Sequence, residues 1–315
     1  MTAVCLLLSA LLSLLCGCIS VKTGREGENE GLYIVCTAYP QYDFIKNIAG
    51  DAINLEMLVP DGTDTHNFGL KDISVPRLAR LEQADLILYV GGESDEKLIS
   101  DLKKALPESV RFVSLLSLVN DPLTTSEGHS HDDGHDHANE LDEHVWTSPK
   151  RAIELVEGLC TVLGELDTEN EKAYREGAEA YKEKLTSLDL RYEELIEQRS
   201  FDMLIFADRY PFRYLCHDYG ILAEAAFSGC SSEVEPSLAV LDALYEKAKV
   251  LGLPAILYME GSNSQYAENI AKKCSADALM LHSCHILTSE EMKSKNYITL
   301  MEENLAVLKT ALGAK

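Results

Sequence analysis

From residue 33 onward, short runs rich in β-branched and aromatic residues alternate with stretches in which apolar positions recur every three or four residues. Strand-like runs fall at 33–38, 53–59 and 84–90, with helical patterns at 41–49 and 71–82 between them. After a polar stretch around 119–147 a helical pattern starts at Ser148-Pro149, a capping residue followed by a proline suited to the first helical position, and it resumes through 167–199. Within it Tyr174, Ala178, Tyr181, Leu185, Leu188 and Tyr192 form one apolar stripe against a face of Glu and Lys, which predicts burial of one side along most of its length. Strand-like runs then return at 203–207, 221–227, 255–259 and 278–281. This rhythm predicts an α/β fold of two lobes with mostly parallel sheets joined by one long helix. The boundaries it suggests are an N-terminal lobe at 32–150, a connecting helical segment at 151–200 and a C-terminal lobe at 201–315.

The chain begins differently. Residues 1–17 are an uncharged apolar run, too short to span a bilayer and followed at once by polar sequence, which reads as a signal-peptide core. Its end, Leu15-Cys16-Gly17-Cys18, resembles a bacterial lipobox, so Cys18 is the expected lipidation site and 18–31 a flexible tether. Such a chain is expected outside the cytoplasm, lipid-anchored to the bacterial cell membrane. Cys36, Cys160, Cys216, Cys230, Cys274 and Cys284 remain. Their number permits disulfides there, but spacing alone does not pair them, and for most of them burial as a small apolar side chain is the ordinary role.

Charge narrows the function. With 28 Lys and Arg against 52 Asp and Glu among 315 residues, the formal net charge is -24. A phosphate backbone is held by the cations that this surface lacks, so nucleic acid is excluded as a partner, whereas an acidic surface suits a protein that concentrates cations.

The histidines sharpen that. His129, His131, His135 and His137, four of nine, fall with aspartates in one short loop, 127–140, whose stretch 129–137 has no apolar residue to pack. Imidazole with carboxylate suits Zn²⁺, Cu²⁺ or Ni²⁺, held weakly and adaptably, so the loop reads as an accessory recruiter of metal. His66 lies in a turn-rich connection after the 53–59 strand, where α/β proteins place ligand groups. His144 lies beside Trp146, the single tryptophan, just ahead of a helix start. The two are a candidate ligand pair.

Three motifs carry a resemblance. Pro60-x-Gly62-x-Asp64-x-His66, Asp142-Glu143-His144-x-Trp146-x-x-Pro149 and the His/Asp loop between them look like the zinc and manganese solute-binding lipoproteins of bacterial ABC importers, the zinc branch of the cluster A-I family. The similarity extends from about residue 33 to a terminal helical pattern containing Tyr297, Asn304 and Leu308. It implies two α/β lobes joined by a rigid helix and clamping one ion, two ligands from each lobe, with the first two positions at His66 and His144. The third falls on Arg209, which stays protonated and does not ligate, so Asp208 beside it is a substitute. The fourth falls on His282, and His285, three residues on, is a second way to complete the shell. The expected set is therefore His66, His144, His282 and either His285 or Asp208. Three or four imidazoles favour Zn²⁺ over the harder Mn²⁺. Cys284 has a thiolate-ligand reading, set against burial or a disulfide with Cys230.

The function so implied is high-affinity zinc capture by a non-enzymatic monomer that hands the ion to the permease and ATPase of an ABC importer. A manganese-specific or adhesin-type member of the same fold is the alternative. A zinc hydrolase fits less well: no His-Glu-x-x-His or Gly-x-Ser-x-Gly motif is present, although Glu143 beside His144 has the chemistry of a general base.

Overall fold

The computed structural model describes residues 31–63, 67–125, 140–227 and 236–315. His66, the four loop histidines and Cys18 lie outside these residues, as do the signal and tether segments.

In the first lobe β1 (Tyr33–Cys36) leads to α1 (Tyr39–Ala49) and β2 (Asn54–Met57), then to α2 (Val75–Leu81), β3 (Leu86–Tyr89), α3 (Glu93–Ala105) and β4 (Arg111–Ser114). The four strands pair in parallel in the order β2-β1-β3-β4. The helix expected over 71–82 is shorter: a single 3-10 turn at Leu70–Asp72 comes first, Ser74 is extended, and a proline in the first helical turn starts α2. Two elements were hidden in polar sequence. In α3 only one face is apolar, and acidic residues in its first turn with lysines in its last complement the helix dipole. In β4, Arg111 and Ser114 sit at the ends of a four-residue strand.

Two helices then pack along one another, α4 (Pro149–Leu166) and α5 (Glu171–Glu197). Ser148 stands at the capping position of α4, but its hydroxyl donates to Asp218 Oδ2 at 2.7 Å and makes no cap bond. The 27-residue α5 is the long connector, roughly 40 Å from end to end at 1.5 Å per residue. Its apolar stripe is buried throughout, as the three- and four-residue spacing requires. Large side chains on such a stripe contribute about 1.5–3 kcal/mol each when fully buried. Gly177 lets α5 approach α1: a Cβ there would lie 2.2 Å from the Ile48 carbonyl oxygen, so even alanine forces the two backbones apart.

The second lobe repeats the first. β5 (Met203–Phe206), α6 (Arg213–Asp218), β6 (Leu222–Ala225), α7 (Leu238–Leu251), β7 (Ala255–Met259), α8 (Gln265–Cys274) and β8 (Asp277–Leu281) give a parallel sheet in the order β6-β5-β7-β8. A short α9 (Glu291–Ser294) and α10 (Tyr297–Ala311) close the chain. One continuous core joins the inner faces of both sheets to α1, α4, α5 and α10, and smaller cores under α2 and α3 and under α7 and α8 fill the outer faces. Both sheets thus aim the C-terminal ends of their strands, where α/β folds bind ligands, at the seam between the lobes.

A buried carboxylate sits where three elements meet. Asp43 on α1 accepts from the Tyr181 hydroxyl on α5 at 2.7 Å and from Tyr39 at 3.4 Å, beside Tyr297 on α10. Burial raises its carboxyl above the usual range, opposed by the hydroxyls of Tyr181 and Tyr39 and by Lys184. Because the folded state then holds this proton more tightly than the unfolded chain, the group's contribution to stability is complete below the ordinary carboxylate value of 3.8 and is lost as pH rises through the raised one. Asp43→Asn is expected to gain stability relative to the parent as pH rises from about 4 to 7. Urea-unfolding midpoints at pH 4, 5.5 and 7 measure this, and a difference independent of pH contradicts it.

Candidate metal centre

His144 and His285 meet across the seam. His144 stands at the start of a 3-10 turn, Val145–Thr147, that leads into α4, whereas His285 lies in the loop after β8. Their rings stand edge to face with centroids 5.5 Å apart. Trp146 completes a triangle, 5.7 Å from each imidazole, and its indole N–H crosses the lobes to donate to the Ser283 carbonyl at 2.8 Å. All three side chains are buried.

His144 is held in one orientation. Asp142 Oδ1 accepts from the His144 backbone N–H at 2.9 Å and lies 3.3 Å from Nδ1. An acceptor at Nδ1 places the ring proton there and leaves Nε2 as the lone-pair nitrogen, the tautomer and outer partner typical of a metal-bound histidine. Asp142 is itself fixed from the second lobe by Arg213 Nε at 3.5 Å, while its carbonyl accepts from the Tyr214 hydroxyl at 3.1 Å.

His285 belongs to a loop wrapped on a buried carboxylate. Glu260, just past β7, accepts from the backbone N–H of Ser283 at 2.8 Å and of His285 at 3.3 Å, and from the Ser283 hydroxyl. Between those two residues Cys284 takes a left-handed conformation, φ 61°, that is costly for any residue with a Cβ. Its buried thiol is free, and burial pushes it well above the ordinary thiol range, so it packs as a neutral apolar group. Cys230 lies outside the described residues.

His282 and Asp208 are employed differently. His282 Nδ1 accepts from the Cys284 backbone N–H at 2.9 Å, so the neutral ring carries its proton on Nε2. That Nε2 is buried, with no hydrogen-bond partner among the described residues and Glu291 Oε1 at 3.8 Å. Asn304 holds the His282 backbone from both sides, accepting from its N–H and donating to its carbonyl. The two oxygens of Asp208 accept from the backbone N–H groups of Arg209 and Met259 at 2.7 and 3.0 Å, a bridge between β5 and β7. Arg209 donates to Ser262 Oγ at 3.2 Å. Among the described residues no three His, Cys, Asp or Glu side chains gather as a metal shell, so what they supply is the His144 and His285 pair.

The strand β2 leads to the 60–63 segment, which lies against the same loop. Gly62 N–H donates to the Leu287 carbonyl at 2.7 Å and Ser289 Oγ to Asp61 Oδ2 at 2.7 Å, which ties the chain four residues before His66 to the loop that carries His285. A cavity of about 20 Å³, room for roughly one water, lies there against Tyr39, Thr63 and His285. Glu260 is the residue of this cluster that the sequence did not single out, and an apolar strand ending in a lone acid was the available signal for it.

Two parallel α/β lobes on a helical spine, with paired histidines where their strands end, are the architecture of the two-lobed solute-binding proteins. The chain belongs to the ZnuA family, zinc-uptake complex component A, periplasmic, whose model matches residues 34–311. It is 34% identical over 308 residues to the zinc-binding lipoprotein AdcA of Streptococcus pneumoniae, covering 96% of this chain and 60% of that protein. It is 29% identical over 317 residues to the high-affinity zinc uptake system protein ZnuA of Bacillus subtilis, covering 99% and 96%. The chain thus spans about 60% of the length of the AdcA relative. Among solved structures, the Zn(II)-bound ZnuA-like domain of S. pneumoniae AdcA superposes with a TM-score of 0.71 at 32% identity, covering 89% of this chain and 99% of that one.

Proposed function

We propose that this protein captures Zn²⁺ in the seam between its lobes, outside the cytoplasm, and delivers it to the permease and ATPase of an ABC importer. The observation that carries the reading is the pair of buried imidazoles, one from each lobe, with ring centroids 5.5 Å apart. Each imidazole brings a neutral nitrogen donor suited to zinc, and burial beside an indole excludes the water that a harder ion such as Mn²⁺ retains. The relatives, a zinc-binding lipoprotein and a zinc uptake system protein, support the same cargo.

In this reading His66 joins His144 from the first lobe and His285 serves the second. His282 stands outside the shell because its Nδ1 is taken by Cys284 N–H, and Asp208 because backbone amides occupy its oxygens. His129, His131, His135 and His137 recruit the ion, and a lipid on Cys18 keeps the monomeric protein at the membrane. No catalytic role is proposed for Glu143: its carboxylate accepts from Ser94 N–H at 2.7 Å and from the Ser94 hydroxyl, which makes it a brace at the start of α3.

Competitive titration of the full chain against a chromophoric chelator tests this, with and without residues 127–140. One tight Zn²⁺ site that survives the deletion and is not displaced by a tenfold excess of Mn²⁺ is expected. Loss of all tight binding on deletion, or tighter binding of Mn²⁺, overturns the reading.

A further inference from the structure

We propose that Glu260 is the positioning residue of the second lobe's half of the site: a buried carboxylate that folds the 282–286 loop around itself and so aims His285 at His144. The proposal rests on the reading of His144 and His285 as ligands.

The 282–286 loop follows β8 but belongs to no helix or strand, so its backbone N–H groups need other acceptors. Glu260 supplies them. Its two oxygens take the N–H of Ser283 at 2.8 Å, of His285 at 3.3 Å and, at the limit, of Ile286 at 3.5 Å, together with the Ser283 hydroxyl. The carboxylate is 6% exposed, and a buried charge is tolerable only when hydrogen bonds of this kind surround it. To present those N–H groups to one carboxylate the loop must reverse, and Cys284 at φ 61° is where it does. A strained residue persists only if its surroundings over-determine it. Here the restraint is the carboxylate on one side and the Cys284 N–H bond to His282 on the other. The Trp146 indole then pins the Ser283 carbonyl from the opposite lobe, so the peptide groups next to His285 are gripped from both sides of the seam. His285 has its backbone set by one lobe and its ring packed against the other. Glu260 touches no ion in this scheme and acts through His285 alone.

The test compares Glu260→Gln and Glu260→Ala with His285→Ala in the full chain, using Zn²⁺ competition and the visible absorption of bound Co²⁺. The glutamine variant keeps one acceptor and replaces the other with an amide donor facing the loop's N–H groups. It is expected to weaken Zn²⁺ binding about 10–100-fold, as loss of an outer-shell partner does, and to alter the Co²⁺ spectrum. In a His285→Ala background the same substitution is expected to have no further effect on affinity. Additive loss in the double variant would mark Glu260 as merely structural and overturn the proposal, as would unchanged affinity and spectrum in Glu260→Gln. If Glu260→Ala does not fold, Glu260→Gln alone decides. A different pattern, in which His285→Ala and His144→Ala both bind Zn²⁺ as tightly as the parent, refutes the site itself and not the role of Glu260.

Discussion

Replacing His285 with alanine is expected to weaken Zn²⁺ binding by at least about 100-fold, and His144→Ala to do the same. Removing an outer-shell partner of a metal ligand already costs about 10–100-fold, so removing the ligand itself exceeds that range. The two rings come from different lobes and pack against one tryptophan, so neither has a neighbour that takes its place without moving the loop of the other. His282→Ala is expected to cost less, under about tenfold, since its ring is bonded to its own loop at Nδ1. Competition titration of the three variants reads this order directly. A result in which His282→Ala is the most damaging of the three removes His285 from the shell.

The second large effect concerns stability. Trp146→Ala is expected to cost about 3–5 kcal/mol, the range for truncating a large buried aromatic to alanine. The side chain is fully buried, and its removal also strips the Ser283 carbonyl of its inter-lobe donor. An unpaired buried carbonyl adds about 1–3 kcal/mol of desolvation that a cavity alone does not. Trp146→Phe separates the two contributions by keeping most of the ring and losing the N–H. It is expected to lose less than the alanine variant, and urea unfolding monitored by circular dichroism measures both. Equal stability of the phenylalanine variant and the parent would show that the bond to Ser283 contributes nothing. The parent offers a separate readout, since its single tryptophan lies against both imidazoles and its emission is expected to change as Zn²⁺ arrives.

Much of the fold was readable because it rests on local periodicity. The stripe from Tyr174 to Tyr192 is one face of α5, and the 255–259 run is β7 without revision. What escaped is polar on its surface: α3 shows solvent a charged face, and β4 has an arginine at one end. In the site, His144 was legible from its neighbours Asp142 and Trp146. The different settings of His282 and His285 were not, because the expected set counted His282 in and left His285 or Asp208 to complete it, whereas only the hydrogen bonds of the loop distinguish the two histidines. Glu260 precedes Ser283 by 23 positions, and nothing local in the sequence announces that the two meet.

The seam is laced shut by direct bonds between its two sides. Trp146 holds Ser283, Gly62 holds Leu287, and the Tyr297 hydroxyl grips the Trp146 carbonyl at 2.6 Å, so these three bonds join loops from opposite sides around the same spot. Wide separation of the halves would sever all of them together. On the function proposed above, an ion is then expected to enter through local movement of the 60–63 and 286–289 segments rather than through wide opening of the halves.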